Sequence, residues 1–323
     1  MATAVVIDET PTATATGVVA LAPAVETKHP LGTGMPMLSH VPPMHPIFMI
    51  DFVEGSTARQ FFDFLEPVMT TIPLAIGIDG VFIERGNNSQ RGSSMVVKAF
   101  IRAMDLINYH VDETQYNQPE YKRHFITVSL EELCTHIKGV AKKEGFRLYQ
   151  VAEYPDEIMI QPYGGSKNPG NTSARSRLVS SEGATTYTIS DGVTATSKPQ
   201  FKVPLSVLGG NFTTIHRAKY ATAAIQVYPT GAVVGGISAT GSTSRESVWG
   251  IVSQELIDTV SPTMTRIDRS VVKALSKTAN FNVGGIVKGY STGMGLIRLD
   301  IDLGSYANVW IFLNDIVTPE SGK

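Results

Sequence analysis

Cysteine is almost missing from this chain: Cys134 is the only one in 323 residues. No intramolecular disulfide can form, and a zinc site built on several thiolates is excluded. One thiol fits a reducing compartment. Long apolar runs are missing too, and no stretch approaches the roughly 18 consecutive apolar residues of a membrane-spanning helix. Charge is sparse, with Asp, Glu, Lys and Arg together at 17% and a net charge of −2. That balance argues against a protein that grips nucleic acid with its whole surface. The Ala/Thr/Val-rich start has no Lys or Arg before Lys28. It lacks the charged n-region of a signal peptide, so none is expected.

Catalytic signatures are scarce as well. His110, His124 and His136 fall in separate segments, and Cys134-x-His136 puts two side chains on different parts of a helix. Core or surface roles suit them better than metal ligation. Gly293-x-Gly295 and Gly209-Gly210 lack the strand–GxGxxG–helix setting of a nucleotide site, and no G-x-x-x-x-G-K-[ST] occurs. The acidic residues that abound on 44–164 form no D-x-D pair or cluster with His of the kind two-metal chemistry uses. No nucleophile–base arrangement stands out. The expectation is a protein without catalytic activity, metal or cofactor.

What is present is ample hydrophobic material, 42% of the residues, enough for about two domains with a core each. The charges are unevenly spread. Residues 44–164 carry 11 Lys/Arg against 16 Asp/Glu, whereas 201–323 carry 11 against 8. An acidic first part and a mildly basic second part have to share one function.

Residues 1–45 read as a disordered tail, closed by the VPPMHP breaker at 41–46. A first folded unit, 46–187, opens with a strand at Ile47–Val53 and a helix from a Ser56 cap carrying Phe61, Phe62, Phe64, Leu65 and Val68. Extended stretches follow at Leu74–Ile78, Val81–Arg85, Ser94–Arg102 and Leu106–Asp112. Ser129 and Glu132 make a capping box for a second helix bearing Leu130, Leu133, Ile137 and Val140. Phe146–Glu153 and Glu157–Tyr163 close the unit as a strand pair. The Gly/Ser/Asn/Arg stretch at 164–184 reads as a flexible loop, Thr185–Ser190 as one more short strand, and 188–200 as a connector.

The second unit, 201–316, repeats that order. Phe201–Leu205 is a strand and Asn211–Tyr220 a short helix. Ala223–Tyr228, Val233–Ser238 and Ser247–Val252 are extended. A helix spans Asp268–Ala279, and Val283–Tyr290, Leu296–Leu303 and Val309–Leu313 finish the unit before a tail at 317–323. Two copies of one α+β design, each with two helices covering antiparallel sheets, constrain the architecture before any motif does. The helix at 268–279 has two distinct faces. At 100° per residue, Arg269, Lys273 and Lys277 fall within an arc of about 80°, and Val271, Val272, Ala274 and Leu275 fill the other side.

This order and spacing resembles a DNA sliding clamp of the proliferating cell nuclear antigen type, over nearly all of 46–315. The closest local matches are FKVPLSVLGGNFTTIHRAKYATAAIQVYPTGAVVGGISATG at 201–241 and TRIDRSVVKALSKTANFNVGGIVKGYSTGMGLIRLDIDLG at 265–304. In the first unit they are SSMVVKAFI at 93–101 and TVSLEELCTHIKGVAKKEGFRLYQ at 127–150. The resemblance implies a closed ring of three two-domain protomers around duplex DNA, with helices lining the hole and sheets forming the rim. It implies a processivity factor that tethers a DNA polymerase and other clamp-binding proteins, served by a clamp loader, in the nucleus or at a viral replication site. Sliding contacts to phosphate suffice for such a ring, with no base readout.

Carried onto this sequence, the resemblance makes Arg59, Lys138, Lys142, Lys143, Arg217, Lys219, Arg269, Lys273 and Lys277 candidates to face the hole. A merely solvated helix face is the alternative for each, and Asp63, Glu66 and Glu131 interrupt the pattern. Met95, Ile189, Val193, Leu313 and Ile316 match the pocket for partner peptides, with ordinary core or loop roles as the alternative. Ile158, Ile160 and Tyr163, with Val233, Val234 and Ile237, lie on the strands expected to pair between protomers, Ile158–Tyr163 and Val233–Thr240. The tail and the loops at 164–184 and 239–247 have no counterpart in the family pattern, which points to a viral or otherwise distant member. Two other functions suit parts of the chain: a β-rich viral capsid component with a disordered arm, and a monomeric processivity factor held on DNA by charge alone. The doubled helix pair disfavours the first, and the mixed charge of the helix faces disfavours the second.

Overall fold

The computed structural model describes residues 45–52, 55–86, 95–138, 140, 144–163, 174–180, 198–220, 222–238, 240–241, 243–281, 284–291, 295–303 and 306–316. The first repeat runs β1 (Pro46–Phe52), α1 (Gly55–Leu65), β2 (Thr71–Gly77), β3 (Gly80–Gly86), β4 (Met95–Arg102), β5 (Tyr109–Val111) and β6 (His124–Ser129). It continues through α2 (Leu130–Ile137), β7 (Gly145–Val151), β8 (Glu157–Tyr163) and β9 (Ala174–Ser180). The second runs β10 (Phe201–Pro204), α3 (Leu205–Arg217), β11 (Thr222–Tyr228), β12 (Gly231–Ile237), β13 (Thr243–Gly250) and α4 (Gln254–Thr259). Then come β14 (Thr263–Asp268), α5 (Arg269–Lys277), β15 (Ile286–Ser291), β16 (Ile297–Asp302) and β17 (Asn308–Leu313).

The pairings repeat as the order does. The ladders β1–β7–β8–β9 and β3–β2–β6 recur as β10–β15–β16–β17 and β12–β11–β14, all antiparallel. The registers agree closely. Thr71 lies opposite Ser129, the cap of α2, and Thr222 opposite Asp268, the cap of α5. One ladder joins the repeats: β17 pairs with β4, from Asn308–Phe100 to Leu313–Met95. It fuses thirteen strands into one sheet, leaving β13-β12-β11-β14 as a second sheet.

Short helices form here because of caps and packing. Asp268 Oδ1 accepts from the Val271 N–H at 2.9 Å, and Ser129 Oγ from the Glu132 N–H at 3.3 Å. The Glu132 carboxylate does not complete the capping box; it accepts from the Ser176 hydroxyl at 2.6 Å. An isolated helix as short as α5 is marginal in water. Burial of Val271, Val272 and Leu275 against the sheet, worth about 1.5–3 kcal/mol for each side chain, holds it. Gly209 in α3 is a packing requirement, since a Cβ there would lie 2.2 Å from the Ala279 amide nitrogen.

Several boundaries differ from the sequence reading. α3 begins at Leu205 rather than Asn211, because the apolar residues Leu205, Leu208, Phe212 and Ile215 continue one buried face through the two glycines. The stretch read as a flexible loop contains β9, whose residues from Ala174 pair with β8 and then β6. The loop expected at 239–247 contributes the start of β13. The strand expected at Thr185–Ser190 lies outside the described residues.

Candidate nucleic-acid interface

The helices touch in the series α2–α1–α5–α3, which crosses from one repeat to the other at α1 and α5. On the side away from the core, Lys138, Arg217, Lys219, Arg269 and Lys273 are exposed. Asp268 starts α5 so that Val271, Val272, Ala274 and Leu275 go inward, which forces Arg269 and Lys273 outward. His216 of α3 stands beside them with its Nδ1 sealed and, among the described residues, unpartnered. Burial pushes its pKa below 6.5, and the charges of Arg269 and Lys273 push it further.

Lys277, third in the sequence stripe, points elsewhere. Its Nζ donates to the Asp63 carbonyl oxygen at 2.6 Å and to Glu66 Oε2 at 3.1 Å, tying α5 to α1. The reason lies in Pro67. Four residues after Asp63 it has no N–H, so the Asp63 carbonyl stays open to an outside donor. The bond from Lys277 holds the Glu66 carboxyl below the usual glutamate range, against its partial burial. Arg59 is likewise engaged, 3.5 Å from Asp63 and 3.5 Å from the Lys138 carbonyl. Ser56, Gln60 and Asn280 line an open polar groove beside it. Sequence reasoning missed His216, Gln60 and Asn280, because neutral polar residues carry no charge pattern.

Lys142, Lys143, Ile189 and Val193 lie outside the described residues. Two expected pocket residues need correction. Met95 and Leu313 face each other across the β4–β17 ladder and are both 0% exposed, so they are core. Ile316 is half-buried, with its N–H bound to the Arg266 carbonyl at 3.0 Å. The expected interprotomer strands are corrected as well. β8 already has β7 and β9 as neighbours, and β12 has β11 and β13, so neither has an edge to offer. Ile158, Ile160 and Val234 are fully buried, Val233 nearly so and Ile237 half-buried. The Tyr163 backbone ends β8, but its side chain lies outside the description.

Among the described residues no group of three or more His, Cys, Asp or Glu is placed to hold a metal. Cys134 is buried, and desolvation pushes its thiol up to about 12, which leaves it protonated and inert.

No protein-family model and no curated protein sequence matches the chain. Solved structures do. One is the PCNA2–PCNA3 complex from Sulfolobus tokodaii, at 14% identity and TM-score 0.62, covering 82% of this chain and 98% of that one. Another is the proliferating cellular nuclear antigen from Entamoeba histolytica, at 12% identity and TM-score 0.61, covering 83% and 98%. The chain has the sliding-clamp fold. At 12–14% identity the likeness is one of fold, a mixed α+β chain with antiparallel sheets.

Proposed function

We propose that copies of this chain close into a ring around duplex DNA and act as a processivity factor for a DNA polymerase. The observation that carries this reading is the helix series, which offers exposed cations from both repeats on one surface. Weak, sequence-independent phosphate contacts are what a topologically trapped ring needs, each adding about 0.9 to the salt slope. The acidic first repeat disfavours DNA elsewhere on the surface. No reaction is assigned to the protein in this reading. Its place of action is wherever duplex DNA is copied inside the cell or at a viral replication site. A loader and polymerase-borne peptides remain the expected partners, with Ile316 the one pocket position on the described surface.

The internal repeat suggests how copies join. β17, which closes the second repeat, pairs outward with β4 of the first. The equivalent strands left over are β9 and β13. Among the described residues no strand lies beyond β13, and β9, although it sits beside β6, is in register with it only at Leu178 and Ser180, so its residues before Leu178 pair on the β8 side alone. Pairing β9 of one copy with β13 of the next would reproduce the internal ladder, and three copies would give six repeats. Exposed Val179 and Val248 on these strands suit such burial.

Native mass measurement is the first test. A trimer supports the ring, and a monomer or a large shell sinks it. The second test is the Arg269→Ala, Lys273→Ala double variant on circular duplex DNA. The expected result is an intact trimer with shorter residence and a salt slope lower by about 2; an unchanged slope would remove these residues from the DNA path.

A further inference from the structure

The ring reading and the repeat together place specific side chains opposite each other between copies. Inside the chain, the repeats meet along the β17–β4 ladder, through aromatic contacts such as Phe64 with Phe281, and at the Lys277 tie from α5 to α1. A ring repeats this junction between copies, with α2 in the role of α5 and α3 in the role of α1. The register fixes which residues correspond. Lys277 lies nine residues beyond the cap Asp268, and Lys138 nine beyond the cap Ser129. Glu66 lies five residues before Thr71, and Arg217 five before Thr222, the two threonines being paired to those same caps. Burial agrees, since Thr57, Ala58, Phe61 and Phe64 of α1 match Leu208, Gly209, Phe212 and Ile215 of α3.

We infer that the junction between copies is a like-charge seam, with the partner subunit's Lys138 set against Arg217 where the internal junction sets Lys277 against Glu66. This rests on the ring reading. The second half of the internal tie is lost as well. Ala218 stands where the first repeat has Pro67, and its N–H occupies the Thr214 carbonyl at 3.1 Å, the counterpart of the Asp63 oxygen that Lys277 uses. A lysine arriving at α3 therefore finds neither a carboxylate nor a free carbonyl.

The surrounding charges do not compensate. α3 supplies His216, with exposed Lys219 just beyond its end, and the adjoining α5 supplies Arg269 and Lys273, its Lys277 being held on α1 by Glu66. β10 and β15 contribute only Lys202 and Lys288, which alternate onto the sheet face away from α3. On the chain that brings Lys138, Glu66 is already bound by Lys277 and Asp63 by Arg59, while Glu131 sits in the first turn of α2, at the far end of that helix from Lys138. The seam therefore carries unneutralised positive charge on the helix side, and phosphates of an encircled duplex, or dissolved salt, would neutralise it. Subunit association is then favoured by DNA and by ionic strength, opposite to a junction held by ion pairs.

Charge reversal tests the seam without DNA. Ring dissociation is followed by sedimentation at about 50 and about 500 mM NaCl for the wild type, Arg217→Glu, Lys138→Glu and the double variant. Both residues are exposed, and melting curves check that each variant folds. The wild type is expected to associate more tightly at high salt. Each single reversal should tighten the ring roughly threefold to tenfold at low salt and lose that gain at high salt. The double variant should fall back toward the wild type, a non-additivity that distant, independent sites do not show. Rings whose association is unmoved or weakened by the single reversals overturn the seam alone. Monomers for every variant at every salt overturn the seam together with the ring.

Discussion

The two repeats share order and register yet handle polar groups in opposite ways. In the first, Asp51 and Arg147 face each other across β1 and β7, fully or almost fully buried, with Nε–Oδ1 at 2.7 Å and Nη2–Oδ2 at 2.8 Å. Asn108 Nδ2 adds a third bond to Asp51 at 2.8 Å. In the second, the opening pair β10–β15 carries Lys202 directly opposite Lys288, both exposed. The difference follows from the sheet edges. β5 lies beyond β1, whereas β10 ends its sheet. Polar groups on a strand made internal must be paired, since an unpaired charge there is costly; on a terminal strand water solvates them, and cationic side chains also blunt the edge. The same contrast holds opposite the hairpins, where His124 faces Ile76 in the first repeat and Thr263 faces Val227 in the second. The first repeat buries titratable chemistry; the second shows its cations to solvent.

The sharpest way to break the comparison is Arg147→Ala. It leaves the Asp51 carboxylate buried with Asn108 alone and should cost about 3–5 kcal/mol by chemical denaturation. Lys288→Ala at the exposed pair should change stability by no more than about 0.5 kcal/mol. Equal costs would erase the distinction between the repeats.

Next in size are two adjacent glycines of α3. Gly209→Ala drives a methyl into the backbone of Ala279 and should destabilise by about 1–3 kcal/mol. Gly210→Ala meets nothing within 4 Å and should stabilise the helix by about 0.5–1 kcal/mol. Thermal melting separates the two; a gain from both would mean that α3 and the end of α5 are not tightly packed.

pH sharpens the contrast further. Burial holds the His124 imidazole below 6.5, although the Gln150 side chain and the Gln115 carbonyl lie against its ring nitrogens. Folded protein then binds fewer protons at this site than unfolded chain, so stability is full above 6.5 and falls as the pH drops below it. Denaturation midpoints between about pH 7.5 and about pH 5 should decline more steeply for the wild type than for His124→Gln. Parallel declines would show that the first repeat does not own this acid sensitivity.

Glu66→Gln is the smallest expected effect. The Lys277–Glu66 pair is partly exposed, so its loss should cost less than about 1 kcal/mol. Its sign is opposite in cause to that of His124: a carboxyl held below 4.5 adds stability above that pH and loses it as the pH falls through the lowered value. The variant should lack this share of the acid limb. An unaltered limb would leave the Asp63 carbonyl as the whole of the Lys277 tie.

Much of the fold was legible in the chain. Strand and helix periodicities marked both repeats, and Ser129 and Asp268 marked the starts of α2 and α5. The site was legible in part. Arg269 and Lys273 follow from the 3.6-residue period, which puts them opposite Val271, Val272 and Leu275. Lys277 obeys the same period and is nevertheless diverted, because Pro67 and Glu66, more than two hundred residues away, offer it two acceptors. β9 was hidden because its Arg- and Ser-rich residues carry no apolar alternation; only pairing with β8 and β6 makes it a strand.

The sequence by itself determined the doubled α+β plan, the starts of α2 and α5 and the cations on the outer face of α5, because periodicity and capping are local. Tertiary structure alone decided which edges are free, which carboxylates are buried and which cation is spent on holding the repeats together, because sheet order and long-range acceptors are set by residues far apart in the chain.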